Sequence, residues 1–201
     1  MGDARRMTER QRRWDERYAA SDRVWSAAPN GEVERIVGSW PPGRALDLGA
    51  GEGRHALWLA SRGWRVTAVD FSTVGLGKGE AEATRRGLSV DWTVADVRSW
   101  HPPARSAYDL VLAAYLHLSE DVLGRAAGWL APGGALVVVG HALRNLTEGV
   151  GGPSDPDLLH TVDGLRAAAA ALDIERCEEF IRPTEGGDAI DVALVARRPA
   201  G

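Results

Sequence analysis

The sequence predicts a doubly wound α/β domain with a mostly parallel sheet, helices on both faces and an antiparallel hairpin strand at the C-terminus. Three observations predict it. Between residues 45 and 140, compact apolar runs alternate with helix-period segments, the signature of βα units. The first apolar run ends in alternating glycines at 49, 51 and 53, and a helical pattern starts directly behind them. Two alternating runs flank Gly186-Gly187 near the end of the chain, as the arms of a hairpin do.

The elements follow in order. Within residues 8–20, Met7, Gln11, Trp14 and Tyr18 recur at helical spacing on or beside a charged stretch, which predicts an amphipathic helix. A loop holding Trp25 and Pro29-Asn30-Gly31 leads to a short helix over 32–38. That helix stops before Pro41-Pro42, because proline donates no amide hydrogen and disfavours helix in the residue ahead of it. Strands are expected at 45–48, 65–69, 90–94, 109–113 and 135–140, with helices at 53–62, 72–86 and 119–130, the last closed by Pro132-Gly133-Gly134. A helix at 162–172 precedes the hairpin arms at 175–181 and 190–196. Residues 142–160 show no periodicity, and so long a stretch without it suggests a functional loop.

Composition bounds the reading. A length of 201 residues suits one domain spanning 1–201, and 44% hydrophobic with 26% charged residues is ordinary for a soluble globular chain. A net charge of -4 supplies no basic field for a phosphate backbone, so no nucleic acid is expected as a partner. The single cysteine, Cys177, can build neither a disulfide framework nor a thiolate cluster; no metal and a reducing, cytoplasmic setting are expected. The basic N-terminus lacks an apolar segment and no apolar run approaches about 20 residues, so no membrane is expected either. A homodimer is allowed.

The chemistry gathers at the strand ends, where doubly wound sheets bind ligands. Gly49, Gly51 and Gly53, with Ala50 between them, let the chain turn tightly and leave room that a Cβ would fill. The spacing is G-x-G-x-G. A dinucleotide fingerprint would need glycine at 54, where Arg54 stands, and the Gly-Lys-Ser/Thr of a P-loop is absent. Asp47, two residues before the first glycine, is unfavourable beside a pyrophosphate and favourable beside an ammonium, so the pocket suits a cationic nucleoside without phosphates. Asp70 ends the second strand about 20 residues on, followed by Phe71, and its carboxylate can accept from both hydroxyls of a ribose. Asp96, before Val97, ends the third strand and can accept from an adenine amine.

The stretch from Arg44 to Ser72, with Leu46-Asp47-Leu48-Gly49-Ala50-Gly51-Glu52-Gly53 and Val69-Asp70-Phe71-Ser72, resembles motif I and its continuation in class I, Rossmann-like methyltransferases that use S-adenosylmethionine. The resemblance implies that the glycines flank the methionine and ribose, that Asp70 holds the ribose, and that Asp96 and Val97 contact adenine. It also implies that Ala113 and Tyr115, after the fourth strand, lie beside the methionyl part. The opening Trp14-Asp15-Glu16-Arg17-Tyr18 with Trp25 is similar to the N-terminal lid of small bacterial methyltransferases of the tellurite-resistance and thiopurine-like groups. By that likeness, residues 1–40 form a helical lid and Tyr18 and Trp25 cover the cofactor.

The acceptor side is read from histidines and a loop. A hydroxyl acceptor benefits from a general base that works near neutral pH, and histidine suits that role. His141, at the end of the fifth strand, is the leading candidate, and His117 lies near another strand end. Residues 141–160 are expected to cover the substrate, with Arg144 and Glu148 orienting it. The preferred expectation is O-methylation of a small molecule, with a carbohydrate such as a mannoside suggested by likeness to actinobacterial enzymes. The alternatives are an S- or chalcogen-methylating detoxification enzyme and a methyltransferase-like module that only binds the cofactor.

Overall fold

The computed structural model describes residues 2–104, 107–116 and 118–200. The chain divides into two compact units, Met1–Pro103 and Ala104–Gly201.

The first unit begins with α1 (Gly2–Ala19) and α2 (Gly31–Val37), followed by β1 (Arg44–Leu48), α3 (Arg54–Ser61), β2 (Arg65–Asp70), α4 (Thr73–Arg86) and β3 (Val90–Val94). The three strands are parallel, with β2 between β1 and β3. Two of these helices start where the sequence supplies a side-chain cap. Asn30 accepts the amides of Glu32 and Val33 ahead of α2, and Ser72 accepts the Gly75 amide ahead of α4. Gly87 closes α4 in the left-handed conformation. Leu46 and Leu48 of β1, Leu57 and Leu59 of α3, and Ala68 and Val69 of β2 are fully or nearly fully buried, so the motif rests on a dry core.

The second unit contains β4 (Tyr108–Ala114), α5 (Glu120–Ala127), β5 (Leu130–His141), α6 (Asn145–Glu148), a 3-10 turn (Pro156–Leu158), α7 (Val162–Ala168), β6 (Asp173–Thr184) and β7 (Gly187–Arg197). β4 and β5 are parallel; β7 lies antiparallel to both β5 and β6. Parallel strands carrying helices and a C-terminal antiparallel hairpin are what the sequence predicts.

Two boundaries differ from expectation. α5 ends at Ala127 with Gly128 as its cap, and β5 begins at Leu130 instead of 135, because Leu130 pairs with Tyr108 before the register jumps to Ala135 opposite Leu110. Pro132-Gly133-Gly134 is therefore an excursion within a strand and does not close the helix. The stretch expected as loop over 142–160 holds α6 and the 3-10 turn, and its ends meet where Ala142 bridges His160. Asn145 explains the missing pattern. Its buried side chain accepts the Ile190 amide and donates to the Gly151 carbonyl, so a polar residue organises this segment where periodicity looks for an apolar one. No helix among the described residues is long and apolar enough to cross a membrane.

Candidate active site

The glycine turn in the first unit has the backbone that its residues require. Gly49, Gly51 and Gly53 take φ values of 69°, 55° and 75°, a region in which a Cβ costs about 1–2 kcal/mol. The space saved is used by protein side chains. A Cβ on Gly51 would run into the Tyr18 hydroxyl of α1, and one on Gly53 would meet the Trp92 ring of β3 at 2.5 Å. The Gly49 and Ala50 amides return to the Val69 carbonyl at 2.8 and 3.1 Å, tying the turn to the end of β2.

Asp70 completes that tie. Its Oδ2 accepts the Gly51 amide at 2.9 Å and its Oδ1 the Ser72 amide at 2.8 Å. Burial pushes this carboxyl up, while the Ser72 and Gly51 amides pull the other way. Each oxygen retains a second acceptor site. Asp47 is placed differently. It is 1% exposed and its Oδ2 has no hydrogen-bond partner. Desolvation raises its pKa to about 7 against the lowering pull of the Ala56 amide. A buried carboxylate oxygen left open in this way is a site for a cation or an N–H donor, and it repels phosphate.

Asp96, at the end of β3, is engaged by a neighbour. Arg98 donates Nε to Oδ1 and Oδ2 at 3.1 and 3.0 Å and Nη2 to Oδ2 at 2.5 Å, while its amide meets Oδ1 at 3.0 Å. Val97 beside it is buried, and Phe71 is half-buried after Asp70.

The N-terminal segment packs on the glycine turn. Trp14, Tyr18 and Trp25 form one aromatic group, with ring centroids 5.5 Å apart for Trp14–Tyr18 and 6.3 Å for Trp14–Trp25, and Trp25 Nε1 donates to the Tyr18 hydroxyl at 3.3 Å. Tyr18 is buried and Trp25 is about a third exposed. Three tethers were not read from the sequence. Glu52, between the second and third glycines, accepts the Val24 and Trp25 amides at 2.9 and 3.1 Å. Lys78 of α4 donates to the Tyr18 carbonyl at 2.5 Å, and Asp15 accepts from Ser72 Oγ at 2.6 Å. The signal for Glu52 was its position inside the motif, a charged residue between two glycines.

The second unit contains a cluster around one carboxylate. Asp191 of β7 is 0% exposed. Its Oδ2 accepts from the Tyr115 hydroxyl at 2.5 Å and from Arg182 Nε at 2.6 Å, while its Oδ1 stands 2.9 Å from His141 Nδ1 as an ion-pair contact in which neither atom has a partner of hydrogen-bond geometry. Strand register brings the group together. His141 and Asp191 are paired across β5 and β7, so they share a sheet face; Phe180 opposes Asp191, and Arg182, two residues further along β6, shares that face too. Tyr115 joins from the end of β4. It is the one residue besides glycine, among those described, with a positive φ, 55°, held by its amide on the Val139 carbonyl at 2.7 Å. Its ring meets the His141 imidazole edge-on at 5.1 Å.

Burial works to raise the Asp191 carboxyl, but His141, Arg182 and Tyr115 together hold it below the usual range. Burial, then the Asp191 charge, pushes the Tyr115 phenol up. The sequence pointed to His141 and Tyr115 but missed Asp191 and Arg182. The available signal was an aspartate inside the apolar run from Ala189 to Ala196.

The other expected residues stand apart from this cluster. Arg144 pairs with Glu148 and Glu179, each at 2.9 Å, on an exposed surface. Ala113 is buried within β4. His117 lies outside the described residues. His55 is buried, its pKa lowered to about 3 by desolvation, and its Nε2 accepts the Asn30 amide at 3.2 Å, a structural role. A cavity of about 440 Å³ is lined by Leu118, Asp121, Leu143, His160 and Thr161. A Cβ on Gly140 would meet the His160 ring at 2.8 Å, so His160 lies on the face of β5 opposite to His141.

The chain resembles known methyltransferases in sequence and fold. Residues 45–134 match the family model described as a methyltransferase domain. An uncharacterized methyltransferase of Mycobacterium tuberculosis (strain H37Rv) is 35% identical over 52% of this chain and 54% of its own length. A ubiquinone biosynthesis O-methyltransferase of Bradyrhizobium sp. is 31% identical over 47% of this chain and 38% of its own. The chain thus spans about half, or less, of the length of these relatives. A solved structure described under the conversion of a disulfide bond into a thioacetal group during echinomycin biosynthesis superposes with a TM-score of 0.71 at 24% identity, covering 96% of this chain and 93% of that one. The chain is thus similar to methyltransferase domains over residues 45–134, on a fold it shares with that solved structure, and S-adenosylmethionine is the cofactor such domains use.

Proposed function

We propose that the protein transfers a methyl group from S-adenosylmethionine to a hydroxyl of a small molecule, with His141 as general base. The observation that carries the choice of oxygen is the His141–Asp191 pair. The negative charge of Asp191, 2.9 Å from Nδ1, favours a proton there and leaves the Nε2 lone pair to take a proton from an acceptor. Thiolate and carboxylate acceptors need no such base near neutral pH.

The residues of the first unit suit the cofactor. Asp47 offers an open buried oxygen to the ammonium, the glycine turn carries no phosphate-binding lysine, and Asp70 retains acceptor capacity for the ribose hydroxyls. Asp96 and Val97 would flank adenine, and Tyr18 and Trp25 would cover the site as a lid. When bound, S-adenosylmethionine supplies an electrophilic methyl on a sulfonium. His141 then withdraws the hydroxyl proton, and Asp191 stabilises the imidazolium that results. The acceptor favoured is a carbohydrate hydroxyl; a relative's name, ubiquinone biosynthesis O-methyltransferase, supports oxygen without supporting a sugar.

The test has two stages. Calorimetry should show binding of S-adenosylmethionine and none of NAD. Methyl mannoside, catechol and 2-mercaptoethanol are then offered, with release of S-adenosylhomocysteine as readout. Turnover of a hydroxyl acceptor that falls at least 100-fold in His141→Gln, with cofactor affinity retained, is the expected outcome. Turnover of the thiol alone, unaffected by His141→Gln, would refute the oxygen reading.

A further inference from the structure

We infer that Arg182 and Tyr115 are positioning residues for the base: together they fix Asp191, ionised and turned, so that its Oδ1 is reserved for His141 Nδ1. The inference rests on His141 being the base. Asp191 is fully buried, and a buried carboxylate without compensating charge would either take up a proton or draw one onto the imidazole beside it. Arg182 supplies the compensating charge through Nε on Oδ2 at 2.6 Å, and Tyr115 adds a hydroxyl on the same oxygen at 2.5 Å. With Oδ2 doubly occupied, Oδ1 is the oxygen left for Nδ1, at 2.9 Å.

Two consequences follow for the imidazole. Arg182 supplies positive charge to Asp191 through Oδ2, so the carboxylate does not depend on the imidazole alone for compensation. Asp191 cannot rotate to offer Oδ2, so the proton stays on Nδ1 and the lone pair on Nε2. The cost is visible in the backbone. Tyr115 adopts φ 55°, a conformation that side chains rarely take, and this places its ring edge-on to His141 and its hydroxyl on Asp191. Gly152 closes the other side, where a Cβ would come within 3.0 Å of the imidazole. Among the described residues, the charged or titratable groups recorded in contact with His141 and Asp191 are Arg182 from β6 and Tyr115 from the end of β4.

The test reads the imidazole directly and needs no acceptor. Protein labelled with 15N-histidine is titrated by NMR, and the His141 signals are assigned by their loss in His141→Gln. The wild-type spectrum should show the proton on Nδ1. Arg182→Gln should raise the midpoint of His141 by about one pH unit or more, because the carboxylate loses its other cation. Arg182→Lys, which keeps the charge, should return the midpoint most of the way, and it serves if Arg182→Gln does not fold. Tyr115→Phe should leave the midpoint within about half a unit but mix the two tautomers. An unchanged midpoint in Arg182→Gln, or in Arg182→Lys no closer to wild type than Arg182→Gln, overturns the inference. These outcomes are separable from the function proposed above: full turnover in His141→Gln would defeat the base assignment, whereas loss of turnover there with no NMR change on Arg182 substitution defeats only the inference about Arg182.

Discussion

Gly51→Ala gives the sharpest test of how the glycine turn is built, because the structure separates two costs at that position. The first is conformational: φ is 55°, and placing a Cβ there costs about 1–2 kcal/mol. The second is steric. The new methyl would run into the Tyr18 hydroxyl, and the next atom, Cζ, is at 3.3 Å. Tyr18 is 4% exposed and its hydroxyl accepts from Trp25 Nε1, so moving it aside loses about 1 kcal/mol of hydrogen bond and disturbs well-packed rings. The sum is about 2–4 kcal/mol of stability. Tyr18→Phe removes the atom that is struck and leaves the φ cost in place. Gly51→Ala should therefore cost about 1–2 kcal/mol less in the Tyr18→Phe background than in the wild type. Urea denaturation of the four proteins in this cycle gives the number. If the two substitutions add to within about 0.5 kcal/mol, Tyr18 does not fill the space that Gly51 leaves open, and the packing of α1 on the turn is wrong.

Asp47 sets a pH dependence. Its folded carboxyl titrates at about 7 against 3.8 for an ordinary one, so between those values the folded chain holds a proton that the unfolded chain has released. The stability it contributes is complete below pH 3.8 and is lost as pH rises to about 7. Asp47→Asn should flatten that slope in the ligand-free protein and stabilise it at pH 8 by roughly 2–4 kcal/mol, while weakening S-adenosylmethionine; a steeper slope in the variant would reverse the assignment. Asp70→Ala should weaken the cofactor tenfold or more in calorimetry, since both a charged acceptor and the anchor of the Gly51 amide are removed, and unchanged affinity would exclude it from the ribose site. Arg144→Ala should change kcat/KM by less than twofold if its pairing with Glu148 and Glu179 is solvated surface, and a tenfold loss would place it on the acceptor instead.

Much of the first unit was legible in the sequence because its signals are local. Apolar runs fix β1 to β3, and three alternating glycines declare a turn that only residues lacking a Cβ adopt without strain. Asp47 and Asp70 could be singled out because each sits at a fixed step from that turn. What the glycines admit was not legible, since the Tyr18 ring comes from α1 and the Trp92 ring from β3. The start of β5 was misplaced for a similar reason: Pro132-Gly133-Gly134 looks like a helix stop until Leu130 is seen paired with Tyr108 across a register jump.

The sequence by itself determined the βα alternation, the G-x-G-x-G turn, the carboxylates at the strand ends and the C-terminal hairpin, all of which depend on neighbours within a few residues. Only the tertiary structure decided the environment of His141. Asp191 lies 50 positions away along the chain, Arg182 lies on another strand, and Tyr115 reaches the pair through a backbone angle that no residue pattern announces. Strand register brings these side chains onto one face, and register is a property of paired strands, which a single run of residues does not carry.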